Sequence, residues 1–216
     1  MKINGGIEYF QNGLRVPLRA MQVQSELMGI HNENITGFDK VGYQRQEAVV
    51  SSFTEYLGVD GISKSTDDKI GRIMMTKNPL DLAIANKGYF QIETDTGVQL
   101  TRDGRFKIDK TGNLLTLDDN KVLSNAGMPI QLHIVPDDLK KIKIDDNGAL
   151  SVFNDKTMKM EAVATVGVVD ARGAIVTEPK VKQGYSEFSN VALQNEFIGN
   201  DACHKKLWSK SSSVFN

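Results

Sequence analysis

The sequence holds a single cysteine, Cys203, which excludes an intrachain disulfide and any cysteine-built zinc site. Its three histidines, His31, His133 and His204, lie far apart, and no His-Glu-x-x-His pair occurs. Neither a Gly-x-x-x-x-Gly-Lys phosphate loop nor a Gly-x-Ser-x-Gly elbow is present. Charge of one sign is also missing. With 26 basic and 27 acidic residues the net charge is −1, without the basic excess that nucleic-acid backbones demand. No apolar run approaches the roughly 18 residues of a membrane span. The first twenty residues hold no apolar core of the roughly 7–15 residues found in cleaved secretory signals. No nucleic-acid partner, no membrane insertion and no cleaved leader are therefore expected. Export by a route that leaves the N-terminus uncut stays open.

The remaining chemistry-bearing residues do not converge. Cys203 and His204 are adjacent, and neighbouring helical side chains point about 100° apart, so they do not meet as nucleophile and base. His31 falls on a helical stripe and reads as a packing or interface residue. Asp118-Asp119-Asn120 and Asp145-Asp146-Asn147-Gly148 lack the alternating acids and terminal glutamate of a calcium loop, and read as turn acids. The expectation is a protein without catalytic residues, metal, cofactor or small-molecule substrate.

What is present is a dense run of short alternating segments from Asn78 to Thr116. Leu80, Leu82 and Ile84 alternate, then Tyr89, Phe90 and Ile92, then Val98 and Leu100, then Phe106 and Ile108, then Leu115 and Leu117. Between them stand Lys87-Gly88, Asp95-Thr96-Gly97, Asp103-Gly104 and Lys110-Thr111-Gly112. Period-two apolarity with such turns is a hairpin signature, because glycine takes the positive φ of tight turns. An antiparallel meander is expected here. Further strands are expected at 121–124, 130–135, 142–144, 149–153 and 174–177, with 160–170 the most apolar and central. Lys107–Leu114 and Lys143–Leu150 share Lys, Ile, Asp, Gly and Leu in register, which fits two turns of one chemistry.

The two ends read as helical. Ile7, Leu14, Met21, Met28 and Ile35 recur every seven residues, with Phe10 and Leu18 widening the stripe. A helix of about 30 residues would be about 45 Å long, and such a stripe suits a partner helix better than a globular core. Pro17 should kink it, and Thr36-Gly37 should end it. Gln46 to Leu57 reads as helix or extended chain, and Val59–Gly71 as a loop. From Val191 a weaker pattern follows through Leu193, Phe197 and Leu207, with Gly199 interposed. The expected class is mainly β with terminal helices: a helical assembly domain from 1–45 and 184–216, a linker or extended segment at 46–77, and a β-rich outer domain at 78–183.

Three segments resemble the flagellar rod, hook and basal-body protein family. In the first, Asn34, Ile35, Gly42, Tyr43 and Arg45 match the family's N-terminal signature, while Thr36, Gly37 and Lys40 depart from it. The second runs through Asn78-Pro79-Leu80-Asp81, Gly88-Tyr89-Phe90, Thr101-Arg102-Asp103-Gly104-Arg105-Phe106 and Gly112-Asn113-Leu114. The third, Gln183-Gly184-Tyr185-Ser186-Glu187-Phe188-Ser189-Asn190-Val191, resembles the Gln-Gly-x-x-Glu-x-Ser-Asn-Val that precedes the family's C-terminal helix. Lys205-Lys206-Leu207-Trp208 stands where the family has an Arg-x-Tyr-Glu-like segment.

The resemblance implies a structural subunit of the bacterial basal-body rod. Its terminal helices would polymerise into the axial shaft that transmits torque from motor to hook. Implied partners are copies of itself, homologous rod and hook subunits and the flagellar type III export apparatus, with the periplasmic rod as its place. The short Arg45–Asp81 span favours a proximal-rod type over a distal-rod type. The alternative is a hook or scaffold module of the same family that docks through its terminal helices without polymerising.

Overall fold

The computed structural model describes residues 5–50 and 62–214, with side chains described at 18, 20–49 and 62–209. The fold is mainly antiparallel β between an N-terminal and a C-terminal helix. The chain divides into two compact units: residues 1–38, 44–67 and 191–216 form one, and residues 39–43 and 68–190 the other. The strands at 72–75 and 185–188 thus count with the β unit, and 46–66 with the helical one.

The helical unit contains α1 (Gly5–Gly37), the hairpin of β1 (Gln46–Val50) and β2 (Ile62–Thr66), and α2 (Leu193–Val214). Helix α1 is assigned as one element through Pro17. The segment read as helix or extended chain starts as a strand; Phe53, Tyr56 and Leu57 lie outside the described residues. Contacts of His31 and Asn34 with Glu196, and of Asn32 with Asn200, set α1 and α2 antiparallel. Helix α2 tolerates Gly199 because the His31 ring fills the space a side chain would need: a Cβ there would stand 2.4 Å from His31 Cε1.

The β unit opens with β3 (Arg72–Met75) and β4 (Leu82–Ile84). Next come β5 (Tyr89–Thr94), β6 (Gly97–Thr101), β7 (Phe106–Ile108), β8 (Leu114–Thr116) and β9 (Lys121–Val122). A three-stranded sheet follows from β10 (Ile142–Ile144), β11 (Ala149–Asn154) and β12 (Lys159–Thr165). The last strands are β13 (Val168–Val169), β14 (Val181–Gln183) and β15 (Tyr185–Phe188). The hairpins β5–β6 and β7–β8 are local, but β9 returns to β5, β13 adds to β5, β14 pairs β4 and β15 pairs β3. A simple meander is therefore corrected to one whose edges are closed by strands a hundred residues on. The core joins Leu82, Ile84, Phe90, Phe106, Leu114, Val122, Ile142, Leu150, Val168 and Val181. Phe90 and Phe106 meet edge-on at 5.2 Å, a geometry that adds about 0.5–1.5 kcal/mol to their burial.

Several expected strands differ. In β8 it is Leu114 and Thr116 that face the core, while Leu117 is half exposed, so the alternation was one residue out of phase. In β6, Val98 and Leu100 stand opposite Glu93 and Gln91 and are exposed; opposite Phe90 and Ile92, Thr101 is half-buried and Gln99 exposed, so this edge strand buries neither face. Paired residues share a face, so the neighbouring strand decides the phase. Residues 130–135 form no strand; Ile130 and Leu132 are buried on irregular chain hydrogen-bonded to Val122, Leu114 and Gly112. The 160–170 run is split. β12 lies at the edge of its sheet, and after Gly167 the chain joins the other sheet as β13.

Candidate functional site

In the helical unit a single carboxylate organises the packing. Glu196, one turn into α2, has no exposed surface. Its Oε1 accepts from Arg45 Nε at 2.5 Å, and its Oε2 from His31 Nδ1 at 2.6 Å and Asn34 Nδ2 at 3.2 Å. An ionised carboxylate only accepts, so His31 carries its proton on Nδ1. Asn34 is itself buried, donates to the Gln46 carbonyl at 2.9 Å and accepts the Gln46 N–H at 2.8 Å, which ties α1 to the start of β1. Arg45 Nη1 also reaches Glu47. Burial pushes the Glu196 carboxyl up, but bonds from Arg45, His31 and Asn34 outweigh it and hold it below the usual glutamate range. The Glu196 bond in turn raises Arg45.

The residues expected to build helix contacts divide. The side chains of Ile7, Phe10 and Leu14 lie outside the described residues. Met21, Met28, Ile35, Leu193 and Leu207 are half-buried, Leu18 and Phe197 are exposed, and among the described residues of the two helices the buried positions are Ile30, Asn34, Gly37, Glu196 and Cys203. Among the described residues, the buried positions of the two helices thus include the polar Asn34 and Glu196. Cys203 is buried while His204 is exposed, and burial raises the thiol, so the two form no catalytic pair. Glu196 was not singled out in the sequence; its position three residues before the interposed Gly199 was the available signal.

The β unit has its own buried pair. Arg102 and Glu187 are almost wholly buried, with Nε and Oε2 at 3.1 Å but out of line for a hydrogen bond, so charge rather than geometry holds them. Arg102 Nη1 donates to the carbonyls of Asn86 (2.9 Å) and Gly88 (2.7 Å), and its guanidinium lies over Tyr89. Glu187 accepts the Gly71 N–H at 2.8 Å, and its carbonyl accepts the Gly42 N–H at 2.7 Å. Burial pushes the Glu187 carboxyl up, more than the Gly71 N–H and Arg102 pull it down.

The other motif residues serve the backbone. Asn78 bonds Asp81, whose second oxygen meets Ser186 and whose carbonyl accepts the Gly184 N–H. Gln183 Nε2 donates to the carbonyls of Pro79 and Ile142 and its Oε1 accepts from Ile144, joining three segments. Thr101 Oγ1 accepts the Asp103 N–H, and Asp103 pairs Arg105 at 2.6 Å. Leu80, Phe90, Ser189 and Val191 are buried, and Asn190 donates to the Lys69 carbonyl. Gly104 is not held by a positive φ, as the turn reading expected. A Cβ there would stand 1.9 Å from the Leu82 carbonyl oxygen, so close approach is the constraint. Gly42 has both reasons, with φ at +72° and a Cβ position 2.3 Å from Asp103 N. Tyr43, half-buried, lines an open cleft of about 390 Å³ with Lys40, Asp103, Arg105, Leu117 and Asp118, whose charges nearly cancel.

The repeated turn occurs three times. Asp109 accepts from the N–H groups of Thr111 and Asn113, Asp145 from Asn147 and Ala149, and Asp170 from Arg172 and Ala174. Each is followed three residues later by a glycine at positive φ. Hydrogen bonds from Asn113 and Thr111 bring Asp109 down to about 2. Its turn is therefore expected to persist on acidification and to lose these bonds only as pH falls through about 2; a carboxyl carbon NMR titration giving an ordinary aspartate value near 3.8 would overturn this. Among the described residues no cluster of three or more His, Cys, Asp or Glu is placed to hold a metal, and no helix is long and apolar enough to cross a membrane.

Comparison with known proteins finds similarity to flagellar hook and rod proteins. Residues 83–152 match the family model of the flagellar hook protein FlgE/F/G D1 domain. The flagellar basal-body rod protein FlgF of Rhizobium meliloti is 33% identical over 132 residues, 57% of this chain and 54% of that protein. The rod protein FlgG of Bacillus subtilis is 30% identical over 167 residues, 63% of this chain and 62% of the relative. FlgF of Caulobacter vibrioides is 26% identical over 205 residues, covering 83% and 82%. The first two alignments thus span between half and two thirds of those relatives' length. Residues 83–152, within the β unit, thus carry the match to the FlgE/F/G D1 domain, and over roughly half to two thirds of its length the chain is similar to flagellar basal-body rod proteins.

Proposed function

We propose that this chain is a structural subunit of the bacterial flagellar basal-body rod, assembling through its helical unit with copies of itself and with homologous rod or hook subunits. The observation that carries this is the inverted distribution of polarity in that unit. The helix seam is polar around Glu196, whereas Leu18, Phe197, Ile198 and Trp208 expose 56–71% of their surface. Large apolar side chains that a domain leaves outside are suited to neighbouring subunits. Head-to-tail stacking of such subunits generates an open helical tube. The similarity to the flagellar basal-body rod proteins of R. meliloti and B. subtilis supports the reading. Passage through the flagellar type III channel, a periplasmic position and a proximal rather than distal place belong to the same proposal, as does the absence of catalysis.

The test is deletion of the gene followed by counting hooks and swimming cells, with complementation by Phe197→Asp/Ile198→Asp. Surface changes of this kind alter stability by no more than about 0.5 kcal/mol, so the variant should fold. Loss of hooks in both strains is expected. Normal flagellation in the deletion strain would remove the rod assignment. Normal hooks in the variant alone would move the assembly contacts off this face.

A further inference from the structure

We propose that Glu196 is an acid-sensitive latch: ionised, it locks α2 onto α1 and the start of β1, and protonated, it releases α2 while the β unit stays folded. Three separate parts of the helical unit converge on this carboxylate. His31 and Asn34 face it from α1, Arg45 faces it from the segment ahead of β1, and Glu47 on β1 faces it only through Arg45. No surface of Glu196 is exposed, so each of these bonds must be made inside the unit.

Protonation leaves a neutral acid with one donor of its own, facing three donors. The Arg45 guanidinium then loses its buried counter-charge and is left with Glu47, and the added proton must sit either on Oε1, facing Arg45, or on Oε2, which already accepts from both His31 Nδ1 and Asn34 Nδ2. Among the described residues of the two helices the buried apolar side chains are Ile30 and Cys203, with Met21, Met28, Ile35, Leu193 and Leu207 half-buried. A polar seam of this kind specifies one register at the expense of bulk stability. The carboxyl sits below its ordinary value of 4.5, so its contribution is present above that pH and is lost as pH falls through the lower folded value. In the β unit the raised Glu187 acts in the opposite sense and gains by protonation, while the Asp109 turn loses its bonds only as pH falls through about 2.

The test is amide hydrogen exchange on the full chain between pH 7 and pH 2.5, corrected for intrinsic rates, with labelling of the lone Cys203 by a disulfide reagent active in acid. Protection across residues 193–203 is expected to fall at least tenfold in a step below pH 4.5, with Cys203 labelling rising in parallel, while Ile84, Phe90 and Val122 stay protected. Glu196→Gln should abolish the step. Arg45→Gln should move its midpoint upward by about one unit or more, because an opposite charge lowers a carboxyl by about 1–3 units. An unchanged step in Glu196→Gln would overturn the latch. So would an unmoved midpoint in Arg45→Gln, or simultaneous loss of protection in both units. If Glu196→Gln fails to fold its helical unit, the wild-type and Arg45→Gln profiles still decide the matter.

Discussion

Replacing Arg102 with alanine is expected to cost the β unit about 3–5 kcal/mol, because it leaves the Glu187 carboxylate buried without a counter-charge. Three further losses act with this one. The carbonyls of Asn86 and Gly88 lose their donor, and Tyr89 loses the guanidinium over its ring. The deficit should depend on pH in a defined direction. Burial already raises Glu187, and without Arg102 it rises further, so the folded variant binds a proton that the unfolded chain releases. Stability is then highest at acid pH and falls as pH climbs through the interval between the unfolded and folded values. Urea unfolding of Arg102→Ala from pH 4 to 8 should therefore show a gap from wild type that widens with pH. Adding Glu187→Gln should recover part of the loss at neutral pH, because it removes the orphaned charge. A pH-independent gap, or additive losses in the double variant, would show that the pair acts through packing alone.

Gly104→Ala is the second large effect, at about 3 kcal/mol, the upper end of overpacking costs. The new methyl would sit 1.9 Å from the Leu82 carbonyl oxygen and 2.8 Å from a Phe90 ring carbon. Neither neighbour can yield: Leu82 N–H donates to the Gly104 carbonyl at 2.9 Å, and Phe90 is locked edge-on against Phe106. The strand would have to leave its partner. Gly29→Ala on α1 is the contrasting case, with nothing within 4 Å of the added carbon. It should stabilise its unit by about 0.5–1 kcal/mol, the helix-propensity difference. Equal effects of the two substitutions on their units' unfolding midpoints would refute the close-approach account.

These residues also mark how far the sequence could be read. Local hairpins were legible, since Asp-Gly-type punctuation and period-two apolarity depend only on neighbours in the chain. The phase of β6 and β8 was not. Val98, Leu100, Leu115 and Leu117 alternate as cleanly as core residues do, but β6 pairs only with β5 and leaves Val98 and Leu100 exposed. The 160–170 run looked like one central strand, because hydrophobicity cannot reveal a chain leaving one sheet for another at Gly167. A Cβ at Gly167 would fall 2.7 Å from the Ser124 carbonyl oxygen, a contact forty residues away in sequence.

The motif residues show the same division. Asn34, Arg45, Gly104, Gln183 and Asn190 were recognisable as a pattern, yet what each one touches lies in a distant segment. Gln183 joins Pro79, Ile142 and Ile144, and Asn34 joins Gln46 and Glu196. Glu196 itself looked like one charge among many at the start of a helix.

By itself, the sequence determined helices at both ends, a hairpin-rich β segment between them, the turn chemistry and the resemblance to flagellar rod and hook proteins. Each follows from short-range periodicity, glycine conformations or spaced residue identities. Only the tertiary structure decided that Asn34 and Glu196 are buried together, that Arg102 and Glu187 are paired out of water, and that Phe197, Ile198 and Trp208 of α2 are exposed. The physical reason is that burial is a property of the neighbours. A glutamate, an arginine or a leucine carries the same side chain in every setting, and its contribution changes sign with the groups the fold brings beside it.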